Sequence, residues 1–128
     1  MPLEEVRVDI ANPLDYNFPV LTVAEVPEYL RRSKGLLSAD EREEVVAYLA
    51  ANPAAGDLIR ETGGVRKLRW ARGGRGKSGG VRVIYYYHSD RIPLYLLTIF
   101  AKGERANLSA EERHELGQLT TTLKQLAR

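Results

Sequence analysis

The stretch from Val65 to Ala101 reads VRKLRWARGGRGKSGGVRVIYYYHSDRIPLYLLTIFA, and its pattern decides the fold. Three runs rich in β-branched and aromatic residues, Val65 to Ala71, Val81 to His88 and Ile92 to Ala101, are separated by a glycine-rich loop and a Ser89-Asp90 turn. This predicts three consecutive strands with short connections, an antiparallel meander. Lys67 and Arg69, two residues apart, share one face of the first strand, while Leu68 and Trp70 lie off that face. Ile92 to Ala101 is apolar at both parities, which predicts a central strand covered on both sides.

Outside this stretch the helix signals are local. Ser109-Ala110-Glu111-Glu112 is a capping box, and the helix behind it carries Leu116, Leu119, Leu123 and Leu126 on one stripe. A second box, Ser38-Ala39-Asp40-Glu41, opens a helix to about Ala51 with Val45, Val46 and Leu49 on its apolar side; Asn52-Pro53 stops it. Phe18 to Glu25 suits a strand, and Pro27 suits the first turn of a short helix, Glu28 to Lys34, that Gly35 would end. Residues 1 to 17 show no sustained period and read as an irregular lead-in. Residues 18 to 128 then form a single α+β domain of order β-α-α-β-β-β-α, its helices on one sheet face and the other face free to bind.

Length and composition agree. A chain of 128 residues, 44% hydrophobic and 28% charged, suits one globular core. Its longest uncharged apolar run, Ile92 to Ala101, is half a membrane span. The acidic start, Met1-Pro2-Leu3-Glu4-Glu5, lacks the basic region of a secretory signal, so a cytoplasmic location is expected. There is no cysteine, which excludes disulfides and thiolate ligands, and only His88 and His114 are available as histidine ligands; no metal or cofactor is expected. The net charge of +2 conceals an asymmetry: residues 1 to 56 carry five basic and ten acidic side chains, and residues 57 to 105 carry eleven and four. Between Arg60 and Arg82, eight cations face only Glu61, the footprint of a surface that binds a polyanion.

Two motifs in this basic block need separating. Ala71-Arg72-Gly73-Gly74-Arg75-Gly76-Lys77-Ser78 nearly spells a phosphate-binding loop, but alanine replaces its first glycine and a strand, not a helix, succeeds it. It reads instead as a basic hairpin loop. Tyr86 alternates onto the same face as Arg82, where a tyrosine beside a cation can stack on a splayed base.

Three segments together, Gly63 to Arg69, Gly76 to Tyr87 and Leu96 to Lys102, resemble the RelE/HigB family of bacterial toxins, closest to its HigB branch. The resemblance spans about residues 18 to 126 and includes Asn52-Pro53, Gly56-Asp57 and the final capped helix. It implies a small RelE-like domain and a ribosome-dependent endoribonuclease that cuts messenger RNA in the ribosomal A site. It also implies neutralisation by a cognate antitoxin, usually a helix-turn-helix protein of HigA type.

By this resemblance Lys67 and Arg69 match the family's paired cations, and Arg82 matches the arginine that contacts the scissile phosphate. Lys102 and Arg105 fall where further cations are expected. Attack of a 2′-hydroxyl on the adjacent phosphate builds negative charge that fixed cations stabilise. A lysine within a cation cluster can exchange its proton where an arginine does not, so Lys67 is assigned proton transfer and Arg82 charge stabilisation. The expected catalytic set is Lys67, Arg69, Arg82 and Lys102, with RNA held by Arg66, Arg72, Arg75, Lys77, Tyr86 and Arg105. Asn107 and Leu108 stand where several members carry a tyrosine. The alternatives are the ParE-like branch, which has a similar scaffold, poisons DNA gyrase and does not cleave RNA, and a nucleic-acid-binding module without cleavage.

Overall fold

Every residue of the strand Val81–Tyr86 is buried, so both faces of the sheet around it are covered. The computed structural model describes residues 6–10, 21–72 and 80–128. Along the chain these form β1 (Arg7–Ile10), β2 (Thr22–Glu25), α1 (Pro27–Leu36), α2 (Ala39–Ala51), β3 (Asp57–Leu58), β4 (Val65–Trp70), β5 (Val81–Tyr86), β6 (Leu94–Ala101) and α3 (Ala110–Leu126). The strands make one sheet in the order β1-β2-β6-β5-β4-β3. The α+β class is evident in this arrangement.

β5 pairs antiparallel with both β4 and β6. The expectation of a wholly antiparallel sheet is corrected by β2, which lies parallel to β6 and makes the sheet mixed. A parallel pair needs a long crossover, and α1, which comes directly after β2 and packs on β6, begins it. Residues Arg7–Ile10, expected within an irregular lead-in, form a strand antiparallel to β2. The two-residue strand β3, which carries no propensity signal of its own, pairs with Arg66 and Lys67 of β4. Between Ile84 and Tyr85 the register with β6 slips, so that Ile84 faces Thr98 and Tyr85 faces Leu96.

The helices start where their caps predict. Pro27 occupies the first turn of α1, and Ser38 with Glu41 and Ser109 with Glu112 form reciprocal capping boxes. Gly35 does not end α1; it lies inside the helix, which closes at Leu37 through a bond from the Leu37 N–H to the Ser33 carbonyl, 2.8 Å.

The helices do not share one face. Trp70 meets Tyr48 of α2 edge-on at 5.6 Å, and the Tyr85 hydroxyl bridges the segment after α2, donating to the Pro53 carbonyl and accepting from the Gly56 N–H, both at 2.8 Å. Residues of opposite parity, Lys67, Arg69 and Thr98, lie instead beside α3 and its approach. Thus α1 and α2 cover one face, and α3 takes part of the face expected to be open. It docks through small residues: the Thr120 hydroxyl donates to the Thr62 carbonyl at 2.8 Å, and a Cβ on Gly63, at φ 73°, would collide with that hydroxyl.

Tyr85→Phe keeps the ring and removes both hydroxyl bonds, leaving the Gly56 N–H and the Pro53 carbonyl without partners. It should cost about 2 kcal/mol of unfolding free energy, seen as a lower urea midpoint at unchanged slope.

Candidate functional site

Strand alternation places Lys67 and Arg69 on the α3 side of β4. Pairing then sets Lys67 opposite Ile84 and Thr98, and Arg69 opposite Arg82 and Phe100. Arg69 and Arg82 are therefore like charges directly across two strands, a juxtaposition that costs a few tenths to about 1 kcal/mol in a sheet. The row does not stop there. The Arg105 guanidinium sits over the Phe100 ring at 4.6 Å from its centroid, so one rung of the sheet carries three guanidinium groups.

Arg82 is only 7% exposed, and its terminal nitrogen donates to the Val81 carbonyl at 3.2 Å. Burial, and then the neighbouring Arg69 charge, lower its pKa, yet a guanidinium stays protonated. Arg105 is anchored from outside the row by Glu112, at 2.5 Å. Burial raises the pKa of that carboxyl, but hydrogen bonds from Arg105 and from the backbone and hydroxyl of Ser109 outweigh it and hold it below the ordinary range. The cap of α3 and the end of the arginine row are thus one connected unit.

Beside the row opens a cleft of about 440 Å³. Lys67, Arg69, Arg60 and Arg113 bring four cations to it, and Asp57 and Glu61 bring two carboxylates, a balance of +2. The Lys67 Nζ donates to Asn107 Oδ1 at 3.0 Å, which fixes the amine toward the cleft wall formed by Asn107 and Leu108. Among the described residues no group of three or more His, Asp and Glu side chains could hold a metal ion.

The structure brings together Lys67, Arg69, Arg82 and Arg105 among the residues the sequence singles out. Lys102 is exposed just past β6, where its N–H donates to the Gly80 carbonyl at 3.1 Å, and it does not border the cleft. Arg66 reaches the Ala54 and Gly56 carbonyls, at 3.2 and 2.8 Å, on the helix-covered face. Arg72 donates to the Leu36 carbonyl at 2.9 Å. Arg75 and Lys77 lie outside the described residues, as does the body of the phosphate-loop-like motif; the element on its C-terminal side is strand β5. Tyr86 requires a correction: it is 1% exposed, at the end of the strand that α3 helps to bury, so its ring is closed to a base.

Arg113 and Asn107 join the site although the sequence reading assigns them no binding role, and Arg60, counted there only within the basic block, borders the cleft as well. Arg113 carries a readable signal, because a cation in the first turns of a capped helix opposes the helix dipole and needs another reason to be there. The sequence model of one family, described as the RelE toxin of the RelE / RelB toxin-antitoxin system, matches residues 37–128, which include every residue bordering the cleft.

An anion seated beside the row relieves the repulsion between Arg69 and Arg82. Inorganic pyrophosphate at ten times its dissociation constant should therefore stabilise the protein by about 1.4 kcal/mol, read as a rise in Tm over chloride at equal ionic strength. Arg69→Ala should lose this rise without losing stability in chloride.

Proposed function

The chain belongs to the RelE toxin family, and from that membership we propose a ribosome-dependent messenger-RNA endoribonuclease of the HigB-like branch. The family makes it the toxin of a toxin–antitoxin pair. On this reading it works in the cytoplasm, where ribosomes are, and it arrests translation until a helix-turn-helix antitoxin of HigA type neutralises it.

The observation that carries the reading is the Arg69–Arg82 pair on the rung next to Lys67. Folding alone gains nothing from two facing guanidinium groups, so their presence is explained by an anion that both stabilise. In the reaction the 2′-oxygen bonds to phosphorus and the bond from phosphorus to the 5′-oxygen breaks. The products are a 2′,3′-cyclic phosphate and a 5′-hydroxyl. Negative charge grows on the phosphoryl oxygens in the transition state, and preorganised cations in a partly desolvated site lower its energy. Arg69 meets the phosphate from the cleft, and Arg82 acts from beneath it, where low solvent access strengthens its field.

Lys67 is the residue that moves a proton, with Asn107 positioning its amine. Arg105 extends the row. Lys102, Arg75 and Lys77 add general attraction to RNA, while Arg66 and Arg72 are assigned to holding the scaffold through the carbonyls they bind.

Arg82→Ala should slow cleavage of ribosome-bound message by about 100-fold while changing ribosome affinity by no more than about threefold, since the other cations still supply ground-state attraction. Lys67→Ala should behave alike. Primer extension on translated message reads the first quantity and ribosome pelleting the second. Growth arrest by the wild type with no codon-linked cleavage, together with inhibition of DNA supercoiling, would replace this reading with the gyrase-poison one.

A further inference from the structure

β3 is two residues long and both of its side chains are exposed, Leu58 at 63%. Its own burial therefore does little to hold it in place. What holds it is buried behind it. The hydroxyl of Tyr85, a side chain with no exposed surface, ties down the Pro53 carbonyl and the Gly56 N–H. Arg66 donates to the Gly56 carbonyl at 2.8 Å. Gly56 is itself buried, and a Cβ there would stand 2.8 Å from the Tyr85 ring and 2.9 Å from the Lys67 carbonyl, so glycine is required. Past the strand, the Ile59 N–H donates to the Val65 carbonyl at 2.9 Å.

This apparatus fixes one group that reaches the cleft from β3 beside the lysine. Asp57 is directly opposite Lys67 in the pairing of β3 with β4, and both border the cleft. Cross-strand partners stand on one face of the sheet with their Cβ atoms about 5 Å apart. Even so, the two charges do not pair: the Lys67 amine is bonded to Asn107, and Asp57 has no ion-pair partner among the described residues. A carboxylate and an ammonium held side by side and unpaired leave both free for a third group.

The cleavage proposed above moves two protons, one off the 2′-hydroxyl and one onto the departing 5′-oxygen. Near neutral pH an amine carries a proton to give, whereas a carboxylate has room to take one. Apart from arginines, the titratable groups bordering the cleft are Lys67, Asp57 and Glu61. Glu61 stands on the turn after β3, outside the strand ladder, while Asp57 is in register with the lysine. We propose that Asp57 is the general base of the reaction and Lys67 its general acid. The Asp57 carboxylate takes the 2′-hydroxyl proton as the 2′-oxygen bonds to phosphorus. The Lys67 ammonium gives its proton to the 5′-oxygen as the bond from that oxygen to phosphorus breaks. This assignment rests on the RNA-cleavage reading.

The test compares two ribosome-bound messages in single-turnover cleavage by the full chain, one natural and one with sulfur replacing the 5′-oxygen at the scissile bond. A thiolate leaves without being protonated, so the sulfur message needs the base but not the acid. On the natural message Asp57→Asn, close in shape and at an exposed position, should be slower than the wild type by at least about 100-fold. Its ribosome affinity should stay the same or rise by up to about threefold, since a negative charge has left a site for a polyanion. On the sulfur message Lys67→Ala should approach the wild-type rate, and Asp57→Asn should remain slow by at least about 100-fold. Wild-type cleavage of the natural message by Asp57→Asn, rescue of that variant by sulfur, or a larger loss in Glu61→Gln than in Asp57→Asn overturns the base assignment and leaves the endoribonuclease reading standing. A wild-type chain that cleaves neither message overturns both.

Discussion

Arg82 is a charge on a strand that is buried at every position, and much of the molecule is arranged around that constraint. An isolated buried cation would cost several kcal/mol, and the usual remedy is a carboxylate partner. Here the residue directly across β4 is another arginine, and the next residue along the rung is Phe100, capped by a third guanidinium. The fold tolerates this because β5 is fixed from both sides. The Tyr85 hydroxyl pins one face to the chain after α2, and α3 covers part of the other. The strand that carries the least favourable charge is also the strand with the least freedom to move it away.

The approach to α3 is where fold and site meet. Arg105 reaches back to Phe100 and forward to Glu112, which itself closes the helix cap on Ser109. Asn107, two residues on, holds the Lys67 amine. The same short stretch therefore sets the helix, ends the arginine row and orients the lysine. A change in the seating of α3 would be felt at Lys67, and occupancy of the cleft would be felt at the first turn of α3.

Sequence is most legible where one local rule dominates. Both capping boxes, the helix stop at Asn52-Pro53, the three main strands and the shared face of Lys67 and Arg69 are set by spacing alone. The features that escape it depend on contacts distant in sequence. Nothing within Thr22–Glu25 says that its neighbour will be β6, and β1 and β3 take their extended form from the strands they pair with. Gly35 reads as a stop, but at an exposed helix end its cost of about 1 kcal/mol is small enough for the surrounding turn to absorb. In the site, parity separates Arg66 from Lys67 but does not show that Arg66 finds two backbone carbonyls. Parity also puts Tyr86 beside Arg82 without revealing that the sheet face there is buried. Asn107 has no signature of its own; it matters only because the turn after β6 brings it to Lys67.

In the proposed reaction the cations stabilise charge created when a 2′-oxygen attacks its own phosphate. Replacing the 2′-hydroxyl by hydrogen at the scissile nucleotide of a ribosome-bound message isolates that step, because the phosphate and its ground-state charge are unchanged. Single-turnover cleavage should disappear at that position while toxin binding to the programmed ribosome stays as before. Cleavage of the deoxy-substituted message at the rate of the unmodified one would rule out attack by the 2′-oxygen.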